Sequence, residues 1–246
     1  MENANPFESI RNKVVLVAGA TGGLGKAVVR RLLAVGAVVA AVYRSEERLQ
    51  ALVAAVGGEN PSLTGFRADL TREAEVGGMV EAVLGRFGRI DALLNLAGGW
   101  RGGVEVAATK LADWDYMLEL NLKTAFLCSR AVLPAMIKQT SGHIVCVGSR
   151  PAVEKKGRAK SGAYAVAKAG VVLLTETIAE ETRKFGITAN CILPGAIDDP
   201  DNRASNPGAD YSRWTSADAI ADVILFLISE ASSITSGAAI PVYGQS

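Results

Sequence analysis

A glycine-rich turn between an apolar run and an amphipathic segment constrains this chain more than any other feature. The run KVVLVAG (13–19) is short and rich in valine, and KAVVRRLLAVGA (26–37) has the apolar spacing of a helix that closes in a glycine. The turn between them, GATGGLG, is rich in glycines that permit a tight backbone path, among them Gly19, Gly23 and Gly25. The segment therefore predicts a strand, a turn and a helix in direct succession.

The same alternation continues through the rest of the chain. Further strands are predicted at 37–43, 63–68, 90–97, 143–148, 187–193 and 238–243, with helices from Ser45 and Thr71 and over 111–138, 162–184 and 216–230. Strands that are apolar throughout are buried on both faces, and successive parallel strands need helical crossovers. We therefore expect a single α/β domain over residues 1–246, a Rossmann-type, doubly wound, seven-stranded parallel sheet with helices on both faces.

Charge and cysteine content exclude several classes of function. The 246 residues include 26 basic and 25 acidic side chains, so we expect neither nucleic acid nor a membrane surface as a partner. Cys128, Cys146 and Cys191 are widely spaced in apolar segments, which indicates free thiols and no metal site. His143 is the only histidine, so serine or cysteine hydrolysis that relies on a histidine base is disfavoured.

The start of the chain argues against export. The segment MENANPFESIRNK contains Glu2 and Glu8 and lacks the apolar core of a secretory signal. We also expect no run of about 18 apolar residues that could cross a bilayer. The sequence thus predicts a cytoplasmic protein.

The glycine-rich turn points to a phosphate-bearing cofactor. A helix N-terminus offers free N–H groups and a partial positive charge, and glycines let a pyrophosphate approach the backbone. The spacing is G-x-x-x-G-x-G, so the strand-to-helix context carries the argument. Arg44 follows the second strand where an acidic residue would bind a ribose diol, and this favours NADP(H) over NAD(H), unless Arg44 is simply an exposed side chain. Asp69, after the third strand, either accepts a hydrogen bond from adenine or caps the next helix.

A second group of residues lies between 149 and 168. Tyr164 and Lys168 are four residues apart on a predicted helix and share one face, and Ser149 precedes them after the fifth strand. A Tyr and a Lys at this spacing also arise by chance, so the pair gains meaning only from the other motifs. Between Ser149 and Tyr164 lies a basic loop, EKKGRAK (154–160), which is either a solvated loop or a surface that attracts an anionic ligand or an acidic carrier protein.

Taken together, these motifs resemble the classical short-chain dehydrogenase/reductase family over nearly the whole chain. The resemblance rests on GATGGLG, ADL (68–70), NLAG (95–98), Asn121 in LELNLKTAF, Ser149, YAVAK (164–168) and LPG (193–195). It implies an oxidoreductase that interconverts a carbonyl and an alcohol. The catalytic residues it implies are Asn121, Ser149, Tyr164 and Lys168. The expected cofactor-binding residues are Gly19, Thr21, Gly22, Gly23, Leu24, Gly25, Arg44, Asp69, Leu70, Asn95, Ala97, Gly98, Tyr164, Lys168, Pro194, Gly195 and Ile197.

The expected chemistry follows from these groups. The alkoxide left by hydride transfer needs a proton, and Tyr164 is the expected acid-base group. Lys168, cationic and one turn away, is expected to lower the pKa of Tyr164, and Ser149 to hold the substrate oxygen. By resemblance, Asn121 positions a water that links Lys168 to solvent, and Lys168 also holds the nicotinamide ribose.

Three departures from the family pattern stand out. Leu96 replaces a second Asn, which leaves Asn95 to tie neighbouring strands. Asp199 stands where the family often has a Thr near the nicotinamide carboxamide, so the usual contact is in doubt. The interval from Ser149 to Tyr164 is also slightly longer than is common.

The substrate side leaves alternatives open. Trp100, Arg101 and Trp214 are expected to face the pocket. The stretch PDNRASNPGADYSRW (200–214) resembles dihydropteridine reductases, so pterin reduction is an alternative beside reduction of a 3-oxoacyl thioester. An NADP-sensing binding protein without turnover is the alternative of another class. The family resemblance implies a homodimer or homotetramer that pairs the helices at 111–138 and 162–184.

Overall fold

Seven parallel strands form the central sheet of this protein, whose structure, a computed structural model, describes residues 7–244. Their order across the sheet is β3-β2-β1-β4-β5-β6-β7. The strands are β1 (Val14–Ala18), β2 (Val38–Tyr43), β3 (Leu63–Arg67), β4 (Ala92–Asn95), β5 (Gly142–Val147), β6 (Ile187–Pro194) and β7 (Ala239–Val242). The prediction of a doubly wound, seven-stranded parallel sheet is confirmed.

Nine helices accompany the sheet in the described part of the chain. They are α1 (Gly23–Ala34), α2 (Glu46–Ala55), α3 (Glu73–Phe87), α4 (Leu111–Leu118), α5 (Thr124–Gln139), α6 (Arg150–Val153), α7 (Gly162–Thr182), α8 (Pro200–Ser205) and α9 (Ala217–Leu227). Apolar residues of α1, α2 and α9 pack on one face of the sheet, and those of α3, α5 and α7 pack on the other. Successive strand residues point to opposite faces, so Val15 joins one core and Leu16 the other.

The strand order places a crevice at the carboxyl end of β1. The chain runs outward from β1 to β2 and β3 on one side and to β4, β5, β6 and β7 on the other, so the loops after β1 and β4 diverge there. Leu96 N donates to Ala18 O at 2.8 Å, which holds these two loops side by side where the strands end. Ligands of doubly wound sheets bind at such a switch point.

The predicted helix over 111–138 is interrupted. A π-helical segment, Glu119–Lys123, separates α4 from α5. Asn121 lies inside it and donates from Nδ2 to Met117 O at 3.0 Å, so a side chain takes a carbonyl that an α-helix would pair with backbone. The helical region predicted over 111–138 is therefore present, with one widened turn inside it.

The segment after Pro194 contains more regular structure than the predicted loop. A two-residue strand, Ile197–Asp198, pairs in parallel with Thr215–Ser216, and α8 lies between them. Asp199 caps α8 by accepting hydrogen bonds from Asp201 N and Asn202 N. This small unit stands over the carboxyl end of β6.

One helical stretch of the protein is long and largely apolar. The helix over residues 162–185 could cross a bilayer by length and composition alone, with a mean hydropathy of 1.3 in an 18-residue window. Half of that window is buried inside the protein, where α7 packs against the sheet. A core helix of a doubly wound sheet is itself largely apolar, which accounts for this hydropathy. The segment 1–6, which contributed to the expected absence of a signal, lies outside the described residues.

The glycine at 25 is required by backbone contact. A Cβ added there would lie 2.2 Å from Gly19 O and 2.7 Å from Ala20 O, and neither backbone atom can move without breaking the turn. We expect Gly25→Ala to lower the free energy of unfolding by about 2–4 kcal/mol, measured by urea denaturation.

Gly85, exposed in α3, is the matched control, because a Cβ added there meets nothing within 4 Å. Gly85→Ala should raise the free energy of unfolding by about 0.5–1 kcal/mol, since alanine favours the helix. Equal effects of the two substitutions would contradict the proposed contact.

Candidate active site

Two cavities meet at the glycine-rich turn and form one continuous cleft. A cavity of about 200 Å³ lies at the ends of β2 and β3, and one of about 660 Å³ lies at the ends of β5 and β6. Gly19, Gly22 and Gly98 line both. The smaller cavity is also lined by Thr21, Arg44, Asp69, Leu70 and Ala97, and the larger by Gly23, Leu24, Gly25, Tyr164, Lys168, Gly195 and Ile197.

The turn between the cavities fits the phosphates of a dinucleotide. Gly19 has a φ of +92°, and a Cβ there would lie 2.6 Å from Ala97 N, so the backbone of the turn touches the loop after β4. Helix α1 begins after Gly22 with no side-chain cap, which leaves its first N–H groups to an anionic ligand. Backbone geometry and helix polarity therefore suit the pyrophosphate that the sequence predicts.

Two arginines line the smaller cavity. Arg44 follows β2, and Arg48 lies one helical turn further on in α2. Hydrogen bonds to the backbone and side chain of Thr71 lower the pKa of Asp69 in the same cavity, with a smaller contribution from Arg44. Asp69 accepts from Thr71 N at 3.0 Å and from Thr71 Oγ1 at 2.7 Å, so it closes a turn before α3 and does not cap that helix. Arg48 was not among the predicted site residues, although its spacing of four from Arg44 gave the signal.

The larger cavity brings Tyr164 and Lys168 of α7 together with two tryptophans. Trp100 follows β4 and donates from Nε1 to Ser161 Oγ at 3.3 Å, and Trp214 ends the segment after α8. Both line the cavity, as expected. Arg101 does not: it pairs with Asp113 at 2.7 Å beside a separate, smaller pocket, so its expected position was wrong.

Ser149 lies close to Tyr164. It follows β5 and precedes α6, and its side chain is buried. The Ser149 hydroxyl makes no well-formed hydrogen bond with the described residues, yet it is near enough to Tyr164 to act against the rise in the pKa of that phenol. A buried hydroxyl without a good partner is available to a ligand oxygen.

Burial shifts the pKa values of Tyr164 and Lys168 in the directions that favour their uncharged forms. It raises the pKa of Tyr164, with Ser149 acting in the opposite direction. It lowers the pKa of Lys168 from 10.5 to about 8, against smaller opposing effects of Cys191 and Cys146. Lys168 Nζ donates to Val147 O at 2.8 Å and lies 5.9 Å from the centre of the Tyr164 ring. Burial therefore sets the direction of the Tyr164 pKa, and the net lowering that was expected from Lys168 is not found.

Asn121 and Lys168 flank a small space beside Gly98. Asn121 is buried in the π-helical segment, where its Oδ1 accepts from Gly99 N at 3.1 Å and its Nδ2 donates to Gly99 O at 3.0 Å. A Cβ added to Gly98 would lie 2.6 Å from Asn121 Oδ1 and 3.1 Å from Lys168 Nζ. Only a glycine at 98 therefore lets the Asn121 amide and the Lys168 ammonium lie this close to the loop after β4.

Two predicted cofactor-binding residues do not line the cleft. Asn95 is buried in β4 and donates to Ser129 Oγ at 3.0 Å, so it ties the strand to α5. Pro194 is buried at the end of β6.

His143 lies at the opposite end of the sheet, where burial lowers its pKa to about 4 and its Nδ1 lies 2.9 Å from Thr188 Oγ1.

Comparison with known proteins gives a consistent result. The family model described as short chain dehydrogenase matches residues 13–209. The (2S)-[(R)-hydroxy(phenyl)methyl]succinyl-CoA dehydrogenase subunit BbsD of Thauera aromatica is 36% identical over 245 residues, which cover 96% of each chain. The 3-oxoacyl-[acyl-carrier-protein] reductase FabG of Thermotoga maritima is 35% identical over 243 residues, which cover 96% of this chain and 98% of the relative.

Solved structures with each nicotinamide cofactor are also similar. ElxO with NADP bound has a TM-score of 0.89 at 25% identity and covers 95% of this chain, which covers 98% of ElxO. NAD+-bound xylitol dehydrogenase has a TM-score of 0.87 at 29% identity, with coverage of 96% and 99%. Because these two structures contain different cofactors, they do not decide between NADP and NAD for this chain.

The lowered pKa of Lys168 predicts a stability cost with a definite pH dependence. Between pH 8 and 10.5 the unfolded chain binds a proton on Lys168 that the folded chain releases, so stability rises with pH there, and the cost is fully present below pH 8. Lys168→Met should therefore stabilise the ligand-free protein at pH 7 by about 1–3 kcal/mol, less any loss at Val147 O. The gain should shrink towards pH 10.5.

Urea denaturation at several pH values measures this effect. Lys155→Met, at an exposed site in the basic loop, removes the same charge and should change stability by less than about 0.5 kcal/mol. A Lys168→Met protein that is less stable than wild type at every pH would contradict the cost of the buried ammonium.

Proposed function

The chain belongs to the short-chain dehydrogenase family, and on that premise we propose that it is an NADP(H)-dependent oxidoreductase that interconverts a carbonyl and an alcohol. The observation that carries the proposal is that Tyr164 and Lys168 line the cavity that continues into the glycine-rich turn, with the Ser149 hydroxyl close to Tyr164. A dinucleotide laid along the turn would end in this cavity. The three side chains would then face the reacting carbon.

Each side chain has a distinct task in the proposed reaction. The nicotinamide, when bound, donates or accepts the hydride. The Ser149 hydroxyl donates a hydrogen bond to the substrate oxygen, and the Tyr164 phenol gives that oxygen its proton in reduction. Lys168 is one turn from Tyr164 and, as an ammonium, favours the phenolate that remains. The charge that costs stability in the ligand-free chain is therefore the charge that the reaction uses.

The closeness of Asn121 and Lys168 to Gly98 supports a proton path behind Lys168. Because Gly98 has no side chain, Asn121 Oδ1 and Lys168 Nζ both lie near its backbone, where a bridging water would join them. Asn121 is fixed by its two hydrogen bonds to Gly99, so the acceptor does not rotate away. We propose that Asn121 positions this water and so lets Lys168 and Tyr164 exchange protons with solvent.

The lining of the larger cavity favours a neutral reacting group on the substrate. Lys168 is the one ionisable amine among the residues that line it, and neutral amides and a hydroxyl from α8 and the residue that follows it line it as well: Asn202, Ser205 and Asn206. Trp100 and Trp214 add apolar surface. A 3-oxoacyl thioester fits this lining, and the names of both relatives given above refer to a thioester carrier, coenzyme A or acyl-carrier protein.

Some of the cationic side chains in the basic loop (154–160) are available to bind such a carrier. Lys160 pairs with Glu105 at 3.3 Å, and Arg158 donates to Pro151 O at 2.7 Å, so these two cations are engaged within the chain. Lys155 and Lys156 are exposed. They are the residues of this loop that we propose to attract an anionic carrier.

Pterin reduction remains the second candidate for one specific reason. The stretch that resembles dihydropteridine reductases contributes Asn202, Asn206 and Trp214 to the cavity. Amides and an indole suit a flat heterocycle that carries hydrogen-bonding edges. A sensor without turnover is the remaining alternative, and it predicts dinucleotide binding that needs none of the three reacting side chains.

A preference for NADP(H) rests on Arg44 and Arg48. Both are exposed in the smaller cavity, and two guanidinium groups one helical turn apart suit a 2′-phosphate. Tyr43, at the end of β2, donates to Glu46 Oε1 at 2.6 Å, so this strand end presents no carboxylate of its own to a ribose diol.

We also propose a cytoplasmic homodimer or homotetramer. Large apolar side chains are exposed on the helices that the resemblance pairs: Leu111 and Tyr116 of α4, Phe126 of α5, and Val166 and Leu173 of α7. Leu173 is 63% exposed, which is unusual for a leucine unless another surface covers it.

Loss of the Tyr164 hydroxyl tests the proposed reaction. The oxidation of NADPH, followed by its absorbance, should be measured with ketones, 3-oxoacyl thioesters and quinonoid pterin. We expect Tyr164→Phe to lower kcat by about 10²–10⁴-fold with the active substrate, because the proton donor is lost. Tyr116→Phe, at an exposed tyrosine of α4, is the matched control and should leave kcat unchanged. Equal turnover by wild type and Tyr164→Phe would refute the role of Tyr164, and binding without turnover on any substrate would favour the sensor.

Removal of either cavity arginine tests the cofactor preference. Arg44→Ala and Arg48→Ala should each raise the KM for NADPH by about 10-fold or more and leave the KM for NADH nearly unchanged, because only NADPH has the 2′-phosphate. Arg86→Ala, which removes an equal charge from the last turn of α3, should alter neither value. Parallel changes with both cofactors would contradict a phosphate contact.

A further inference from the structure

A buried carboxylate lies against the first residue of α1. Asp199 is 8% exposed, and a Cβ added to Gly23 would lie 2.4 Å from Asp199 Oδ1 and 2.8 Å from its Oδ2. Only a glycine at 23 allows this approach. A negative charge is thus held beside the turn at which the cleft narrows between its two cavities.

Three hydrogen bonds fix this carboxylate in place. Oδ1 accepts from Asp201 N at 2.9 Å and from Asn202 N at 3.0 Å, and Oδ2 accepts from Asn202 Nδ2 at 2.8 Å. The neighbouring arginine, Arg203, forms its ion pair with Asp198. The groups that hold Asp199 are therefore neutral amides, which orient the carboxylate but do not cancel its charge.

The nearest positive potential is the N-terminus of α1. This helix has 12 residues and no side-chain cap, so its first N–H groups carry the partial positive charge of the helix dipole. In the ligand-free chain Asp199 benefits from that potential. A pyrophosphate that binds the same N–H groups brings negative charge beside a carboxylate that is already there.

We propose that Asp199 sets the dinucleotide affinity of this enzyme by opposing the pyrophosphate at the N-terminus of α1. The inference rests on the proposed function, because it assigns a role at the same cofactor site. Asp199 does not take part in the chemical step. Its charge weakens cofactor binding and speeds cofactor release, a step that limits turnover in many enzymes.

The test removes the charge and keeps the helix cap. Asn and Ser cap helices about as well as Asp, so Asp199→Asn and Asp199→Ser should retain α8. Asp198→Asn is the matched control, since it makes the same chemical change one residue earlier, at the carboxylate that pairs with Arg203. Unfolding temperatures of all three variants check that the loop is intact.

Three probes separate the parts of the cofactor. NADP+ contains both the pyrophosphate and the carboxamide, ADP-ribose 2′-phosphate contains the pyrophosphate alone, and adenosine 2′-monophosphate contains neither. Dissociation constants are measured by calorimetry at low salt and at 0.5 M NaCl, and NADP+ release is measured by stopped-flow fluorescence. A partly buried charge pair is screened little by salt, so any effect of Asp199 should persist at high salt.

We expect Asp199→Asn and Asp199→Ser to bind NADP+ and ADP-ribose 2′-phosphate about 5- to 30-fold more tightly than wild type, mainly through slower release. Adenosine 2′-monophosphate should bind equally to all forms, and Asp198→Asn should match wild type. Unchanged or weaker binding of ADP-ribose 2′-phosphate by both variants would overturn the inference alone. An effect confined to NADP+ would also overturn it, because the carboxylate would then act on the carboxamide. Failure of wild type to bind any probe would instead overturn the proposed function.

Discussion

The backbone contact between the glycine-rich turn and the loop after β4 is the constraint on which the rest of the site depends. Gly19 touches Ala97 and Gly25 touches Gly19, with no room for a Cβ at either position. This contact fixes where α1 begins and turns its N-terminus towards the crevice between β1 and β4. The two cavities form one cleft because they share a wall of glycine backbone and Leu96.

Buried charge is the second theme of the site. Lys168 and Asp199 both lie in places where water is largely excluded, and each is held by backbone or amide groups and not by an ion pair with the other. Such groups are costly to fold and are retained where the charge acts on a ligand. In this account the ammonium serves proton transfer and the carboxylate limits how tightly the cofactor is held.

The sheet and most of the candidate site could be predicted from the sequence, because both depend on local patterns. Apolar runs and glycine punctuation located all seven strands of the sheet, and motif spacing located Tyr164 and Lys168 at one cavity, with Ser149 close to Tyr164. Features that arise from tertiary contact could not be predicted from the sequence. The π-helical segment depends on hydrogen bonds from Asn121 to Met117 and Gly99, and the contact of Asp199 with Gly23 joins residues far apart in the chain. The pKa of Tyr164 could not be predicted either, because burial decides its direction.

A crystal structure of the protein with NADP+ would show whether one cleft along the glycine-rich turn holds the whole dinucleotide. We expect the 2′-phosphate at Arg44 and Arg48, the pyrophosphate at the N-terminus of α1, and the nicotinamide ribose at Tyr164 and Lys168. A dinucleotide bound away from the turn, or one whose nicotinamide lies outside the larger cavity, would contradict it.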